Sequence, residues 1–146
     1  MSNTIFFAAF TALWATGVYS QTLHGDWTCA DKSPEGEMQM SMSFSPEGTL
    51  KSEVLLKFEE EGAEIVAELT ALSRYEYLPA GILRDRPTDT TLLSLTADGF
   101  DIKDLPEARE LVDYLLMSSE ETYRVDRLTN SELVMSANGE SLTCFR

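Results

Sequence analysis

From Met38 to Tyr77 the apolar residues of this chain recur with a period of two. Met38, Met40, Met42 and Phe44 share one face, with Gln39, Ser41 and Ser43 on the other. Leu50, Val54, Leu56 and Phe58 continue in phase opposite Lys51, Glu53 and Lys57, with Ser52 interrupting the apolar face. Ala63, Ile65, Ala67, Leu69 and Ala71 alternate again, and Tyr75 and Tyr77 extend the phase. Alternation of this length specifies strands with one buried face and excludes amphipathic helices over the same region. The turns between them are equally legible. Ser33-Pro34-Glu35-Gly36 and Ser45-Pro46-Glu47-Gly48 repeat one tetrapeptide that suits a type I turn, and Glu59-Glu60-Glu61-Gly62 is a charged turn. Turns at this spacing predict an antiparallel meander.

Beyond Tyr77 the pattern changes. Pro79, Gly81 and Pro87 predict an irregular stretch, followed by a hairpin at Ala97-Asp98-Gly99 between Thr91–Leu95 and Phe100–Lys103. Asp104-Leu105-Pro106-Glu107 reads as a helix start with an Asp cap, and Ala108, Leu111, Val112 and Leu115 follow at helical spacing. Three strand candidates then close the chain: Thr122–Leu128, Glu132–Ser136 and Ser141–Phe145, the last two joined by Asn138-Gly139. The expected fold is mainly β, an antiparallel up-and-down barrel of eight or nine strands with one short helix at about residues 105–117.

Residues Ile5 to Val18 are apolar or small and uncharged, and Val18-Tyr19-Ser20 is a small-x-small cleavage pattern. Residues 1–20 therefore read as a signal peptide and residues 21–146 as a single exported domain. The competing readings are an uncleaved anchor or a buried N-terminal element. The apolar run is shorter than a bilayer span, and no later stretch is apolar enough to insert. The chain holds two cysteines, Cys29 and Cys144, without a CxxC or zinc-ligand pattern. In an oxidising compartment they predict one disulfide closing most of residues 21–146 into a loop. An antiparallel pairing of the first strand with the last that sets Cys29 opposite Cys144 also sets Trp27 opposite Arg146. That register puts an arginine over the indole, and joining first strand to last removes the sheet's edges.

Gly25-Asp26-Trp27 on the first strand, with Arg146 on the last, resembles the lipocalin-like, calycin-type barrels. In those, a Gly-x-Trp lies at the closed end and a basic side chain packs across it. The resemblance implies a barrel over the whole of residues 21–146 and a non-enzymatic ligand-binding role. Two features depart from it: no Thr-Asp-Tyr motif is present, Thr88-Asp89-Thr90 being no match, and the helix precedes the last three strands instead of following the barrel.

The formal net charge is −14. This excludes nucleic acid as a partner and disfavours an anionic membrane, leaving a neutral or cationic ligand or a basic protein. His24 is the only histidine and has no triad or metal partner in the sequence; the acids lack calcium-loop order, and no nucleophile motif occurs. No catalytic residue, metal ligand or cofactor is expected. The inward residues Met38, Met40, Met42, Phe44, Ser52, Val54, Leu56 and Ile65 are the candidate lining for a small apolar or amphipathic ligand, an adaptable methionine-rich wall; a filled core competes with this reading. The alternative function is an acidic module that binds or inhibits a basic extracellular enzyme such as lysozyme. The absence of an Asn-x-Ser/Thr sequon after residue 20 favours the periplasm over an extracellular location.

Overall fold

The computed structural model describes residues 23–146; the export segment read over residues 1–20 lies outside the described residues. Nine strands follow in order: β1 (Gly25–Ser33), β2 (Gly36–Phe44), β3 (Thr49–Glu60), β4 (Ala63–Leu78), β5 (Ile82–Ala97), β6 (Phe100–Asp101), β7 (Glu121–Leu128), β8 (Glu132–Ala137) and β9 (Glu140–Phe145). Between β6 and β7, a 3-10 turn (Pro106–Ala108) leads into helix α1 (Arg109–Leu116). All pairings are antiparallel. Eight strands close a barrel in the order β1-β2-β3-β4-β5-β7-β8-β9, with β9 returning to β1; β6 is a two-residue addition to the edge of β5.

The alternating faces of β2 and β3 meet in register, with Met42 opposite Ser52, Met40 opposite Val54 and Met38 opposite Leu56. The two Ser-Pro-Glu-Gly copies build different turns. In the first, Ser33 pairs directly with Gly36, a two-residue loop that places Gly36 where a Cβ would lie 2.4 Å from the Lys57 carbonyl oxygen. In the second, the Gly48 N–H donates to the Ser45 carbonyl at 3.2 Å, and Gly48 takes φ +86° so that the chain can re-enter at Leu50 opposite Phe44.

Residues 79–87 depart from the irregular stretch their prolines predict. β4 and β5 form one long hairpin turning at Ala80-Gly81, both at positive φ. Pro87 is accommodated because the β4–β5 register shifts between Leu72 and Ser73, leaving Thr88 as an extra residue; proline tolerates such a bulge. A second shift between Glu68 and Leu69 leaves Leu93 extra and exposed. The Asp104 cap is not formed either. Leu105 precedes the 3-10 turn in extended conformation without a side-chain cap, and its carbonyl accepts the Ala108 N–H at 3.1 Å. Proline just inside the start favours this tight first turn.

The core divides in two. One cluster fills the end where the chain enters the barrel: Leu23, Trp27, Cys29, Met42, Phe44, Leu50, Tyr75, Leu83, Leu133, Met135 and Cys144. Cys29 and Cys144 face each other across β1 and β9 and are bridged. The Arg146 guanidinium lies 4.2 Å from the Trp27 ring centroid; its Nη1 donates to the His24 carbonyl and its Nε to the Asn130 carbonyl. The Tyr75 hydroxyl donates to the Ser45 carbonyl, and the Tyr75 ring meets Phe44 edge-on with centroids 5.0 Å apart. The second cluster, at the other end, contains Ile65, Ala67, Leu69, Leu92, Leu95 and Ala108, with Val54, Leu56, Phe58, Leu111, Val112 and Leu115 packed against it. Helix residues belong to this cluster alone.

Candidate functional site: a groove between the helix and the barrel mouth

The helix lies where the barrel wall is incomplete. β5 pairs with β7 over only four residues, Ile82 to Asp85, although β5 itself runs to Ala97. Past Asp85 the chain on that side turns through β6, where the Ile102 N–H donates to the Leu95 carbonyl at 3.0 Å, and then enters the helix. The apolar stripe Ala108, Leu111, Val112, Leu115 buries against the second cluster in place of a strand.

Between helix and sheet remains a groove of about 880 Å³. Its apolar walls come from Leu56 and Phe58 of β3, Ala63 and Ile65 of β4, Ala97 of β5, and Ile102, Leu105, Ala108, Leu111, Tyr114 and Leu115 of the helical segment. Leu105 and Tyr114 are 48% and 68% exposed, so apolar surface continues from the groove to the outside. Its charged residues are all glutamates: Glu35 from the β1–β2 turn, Glu60 and Glu61 from the β3–β4 turn, and Glu107 and Glu110 from the helical segment. A second recess of about 370 Å³ lies against β2, β3 and β4 and includes Met40, Val54 and Leu69.

The eight residues proposed from sequence as ligand lining are thus distributed over different places. Leu56 and Ile65 line the groove, and Met40 and Val54 line the second recess. Met42 and Phe44 are buried in the Trp27 cluster, and Ser52 is buried at 8% exposure. Met38 is half-buried and lines neither space. The helical half of the groove was absent from the sequence reading. Its signal was present in the Ala108-Leu111-Leu115 stripe, but which surface that stripe covers depends on where β5 and β7 part.

Between the two apolar clusters the interior is polar. Ser52 and Ser73 are buried there, and Asp85 lies opposite Tyr75 on β4 and Glu121 on β7. Asp85 Oδ1 is buried and unpartnered. Burial pushes the Asp85 carboxyl above the usual carboxylate range, the Ser73 hydroxyl pulls it down, and the Glu121 charge pushes it up again. Burial, with Glu121 and Asp85 nearby, also pushes the Tyr123 phenol up to about 12. The raised Asp85 value carries a sign for stability. Its neutral form favours the folded state, fully so below the unfolded value near pH 4, and this contribution is lost as pH rises through the folded value. Asp85→Asn removes the negative charge that burial and Glu121 disfavour, and is therefore expected to raise stability at pH 7 by about 1 kcal/mol. Thermal melts at pH 7 and below pH 4 check this: the gain shrinks to nothing at the lower pH, and an equal effect at both rejects the assignment.

No protein-family model matches this chain, and no curated protein matches it. Among solved structures it is similar to a lipocalin-like protein from Bacteroides uniformis, with 17% sequence identity and a TM-score of 0.45. That match covers 86% of this chain and 97% of the other. The closure of β9 onto β1 completes an eight-strand antiparallel barrel and packs Gly25, Trp27 and Arg146 together at one end.

Proposed function

We propose that this is an exported, non-enzymatic binding protein that takes a small apolar or amphipathic molecule in the groove between helix and barrel mouth, in the cell envelope. The observation that carries this reading is the groove itself. Its volume of about 880 Å³ falls within the range of small-molecule sites, and its walls are mainly apolar, with charged groups confined to one residue type. The Cys29–Cys144 bridge supports export, because such bridges persist in oxidising compartments; with cleavage after Ser20, the mature chain is residues 21–146 and its place the periplasm. Among the described residues no helix is long and apolar enough to cross a membrane.

A direct test uses the uncharged fluorescent probe N-phenylnaphthylamine, which brightens in apolar surroundings. Purified protein is expected to bind it, and Leu111→Gln, which places an amide on the groove wall, to weaken binding about tenfold. Failure to bind, or binding that is indifferent to Leu111→Gln, counts against the reading. A second reading, an acidic module that docks on a basic enzyme, draws on the net charge of −14. It calls instead for salt-sensitive capture of a basic protein by a surface that Leu111→Gln leaves unchanged.

A further inference from the structure

We infer that the occupant of the groove is a cationic amphiphile, an apolar chain carrying an ammonium or guanidinium head, and this rests on the groove being the binding site proposed above. Five of the residues lining the groove are glutamates and none is lysine or arginine. Glu35, Glu60, Glu61, Glu107 and Glu110 are all exposed, and none of them takes part in an ion pair among the described residues. They reach the groove from three separate parts of the chain. Carboxylates of one sign set around an apolar wall focus a negative potential into it. An anionic amphiphile is repelled by that field, and a neutral one gains nothing from it. A cationic head beside the rim meets these carboxylates while its chain covers the apolar floor.

The same complementarity selects against other occupants. The chain's own apolar segment from Ile5 to Val18 carries no charge and leaves all five carboxylates unmatched. A second copy, itself at a net charge of −14, would bring acids against acids. The groove volume suits a single small molecule.

Calorimetry on the purified protein with three amphiphiles of identical chain, each below its micelle concentration, separates the cases: decyltrimethylammonium, decyl maltoside and decyl sulfate. The cation is expected to bind about tenfold or more tightly than the maltoside, and the sulfate most weakly. Replacing the exposed rim acids (Glu60→Gln, Glu61→Gln, Glu107→Gln, Glu110→Gln) is expected to bring the cation within about threefold of the maltoside. Raising salt to well above 0.1 M is expected to narrow the same gap, since the Debye length there falls below about 10 Å. Equal binding of all three, lost in Leu111→Gln, overturns the charge selectivity and leaves the groove as the binding site. Binding of none of them, with no uptake of N-phenylnaphthylamine, overturns both. Cation binding that survives Leu111→Gln undiminished is attraction to the general acidic surface and overturns the inference.

Discussion

Replacing Cys29 and Cys144 together by alanine lowers the unfolding free energy by about 2–5 kcal/mol. The bridge joins residues 115 apart, so its loss restores to the unfolded chain nearly all the freedom that one cross-link can remove. Both half-cystines are fully buried within the Trp27 cluster, so the double variant also loses two small apolar groups from a packed site. The bridge joins β1 to β9, the pair that brings the two ends of the meander together, and it stands at one of only two registered pairs between them, Cys29 with Cys144 and Thr28 with Phe145. Closure on this side therefore depends on the covalent link more than on a long ladder. Urea titrations of the oxidised protein, the reduced protein and the double variant check the result. Reduced protein and variant are expected to share a lowered midpoint, and coincidence of all three curves would falsify the account.

Trp27→Ala is expected to cost about 3–5 kcal/mol, the range for removing a large aromatic from a packed core. Trp27 is 1% exposed, and its Nε1–H donates to the Leu23 carbonyl at 2.9 Å, tying the residues before β1 into the core. Its other face receives the Arg146 guanidinium at 4.2 Å, so the substitution removes a cation–π contact worth about 0.5–2 kcal/mol as well. Trp27→Phe retains a ring under the arginine but loses the indole donor, and a smaller loss is expected from it. A double-mutant cycle of Trp27→Leu, which removes the aromatic ring, with Arg146→Ala isolates the coupling. Because Arg146 also donates to the His24 and Asn130 carbonyls, Arg146→Ala alone is expected to cost more than the coupling itself. A coupling of zero would show that the guanidinium serves only those carbonyls.

The strands were legible because each carries its own information. In Met38-x-Met40-x-Met42-x-Phe44, the period of two states which face is buried before any partner is known, and β2 and β3 pair with those faces together. Asn138-Gly139 and Asp98-Gly99 announced their hairpins, and both pairs take the positive φ such turns require. The Ala80-Gly81 turn was not legible in the same way. Alanine disfavours the left-handed region, and the surrounding prolines suggested irregular chain; the strands on either side impose the turn through long pairing. The Asp104 cap failed for a local reason of another kind, because Pro106 favoured a tight 3-10 turn over the capped α-helical entry.

The candidate site was legible only in part. Leu56 and Ile65 were visible as inward residues, whereas the five glutamates of the groove are scattered from Glu35 to Glu110 and share no motif. Their convergence depends on three turns and a helix meeting at one end of a closed sheet.

The sequence by itself determined the elements: alternating faces, turn positions, an amphipathic helix, and, through two cysteines and a tryptophan, a register for joining first strand to last. These are properties of short segments or of a single pairing. Only the tertiary structure decided what depends on several long-range contacts at once. Identical Ser-Pro-Glu-Gly segments became a two-residue loop at Gly36 and a wider turn at Gly48, because in one the backbone passes against Lys57 and in the other it must reach Leu50. The helix came to rest over Ile65 and Leu95 because β5 outruns its pairing with β7, leaving apolar surface that no strand covers. Local chemistry selects a conformation, but it carries no information about which distant surface is left open to be filled.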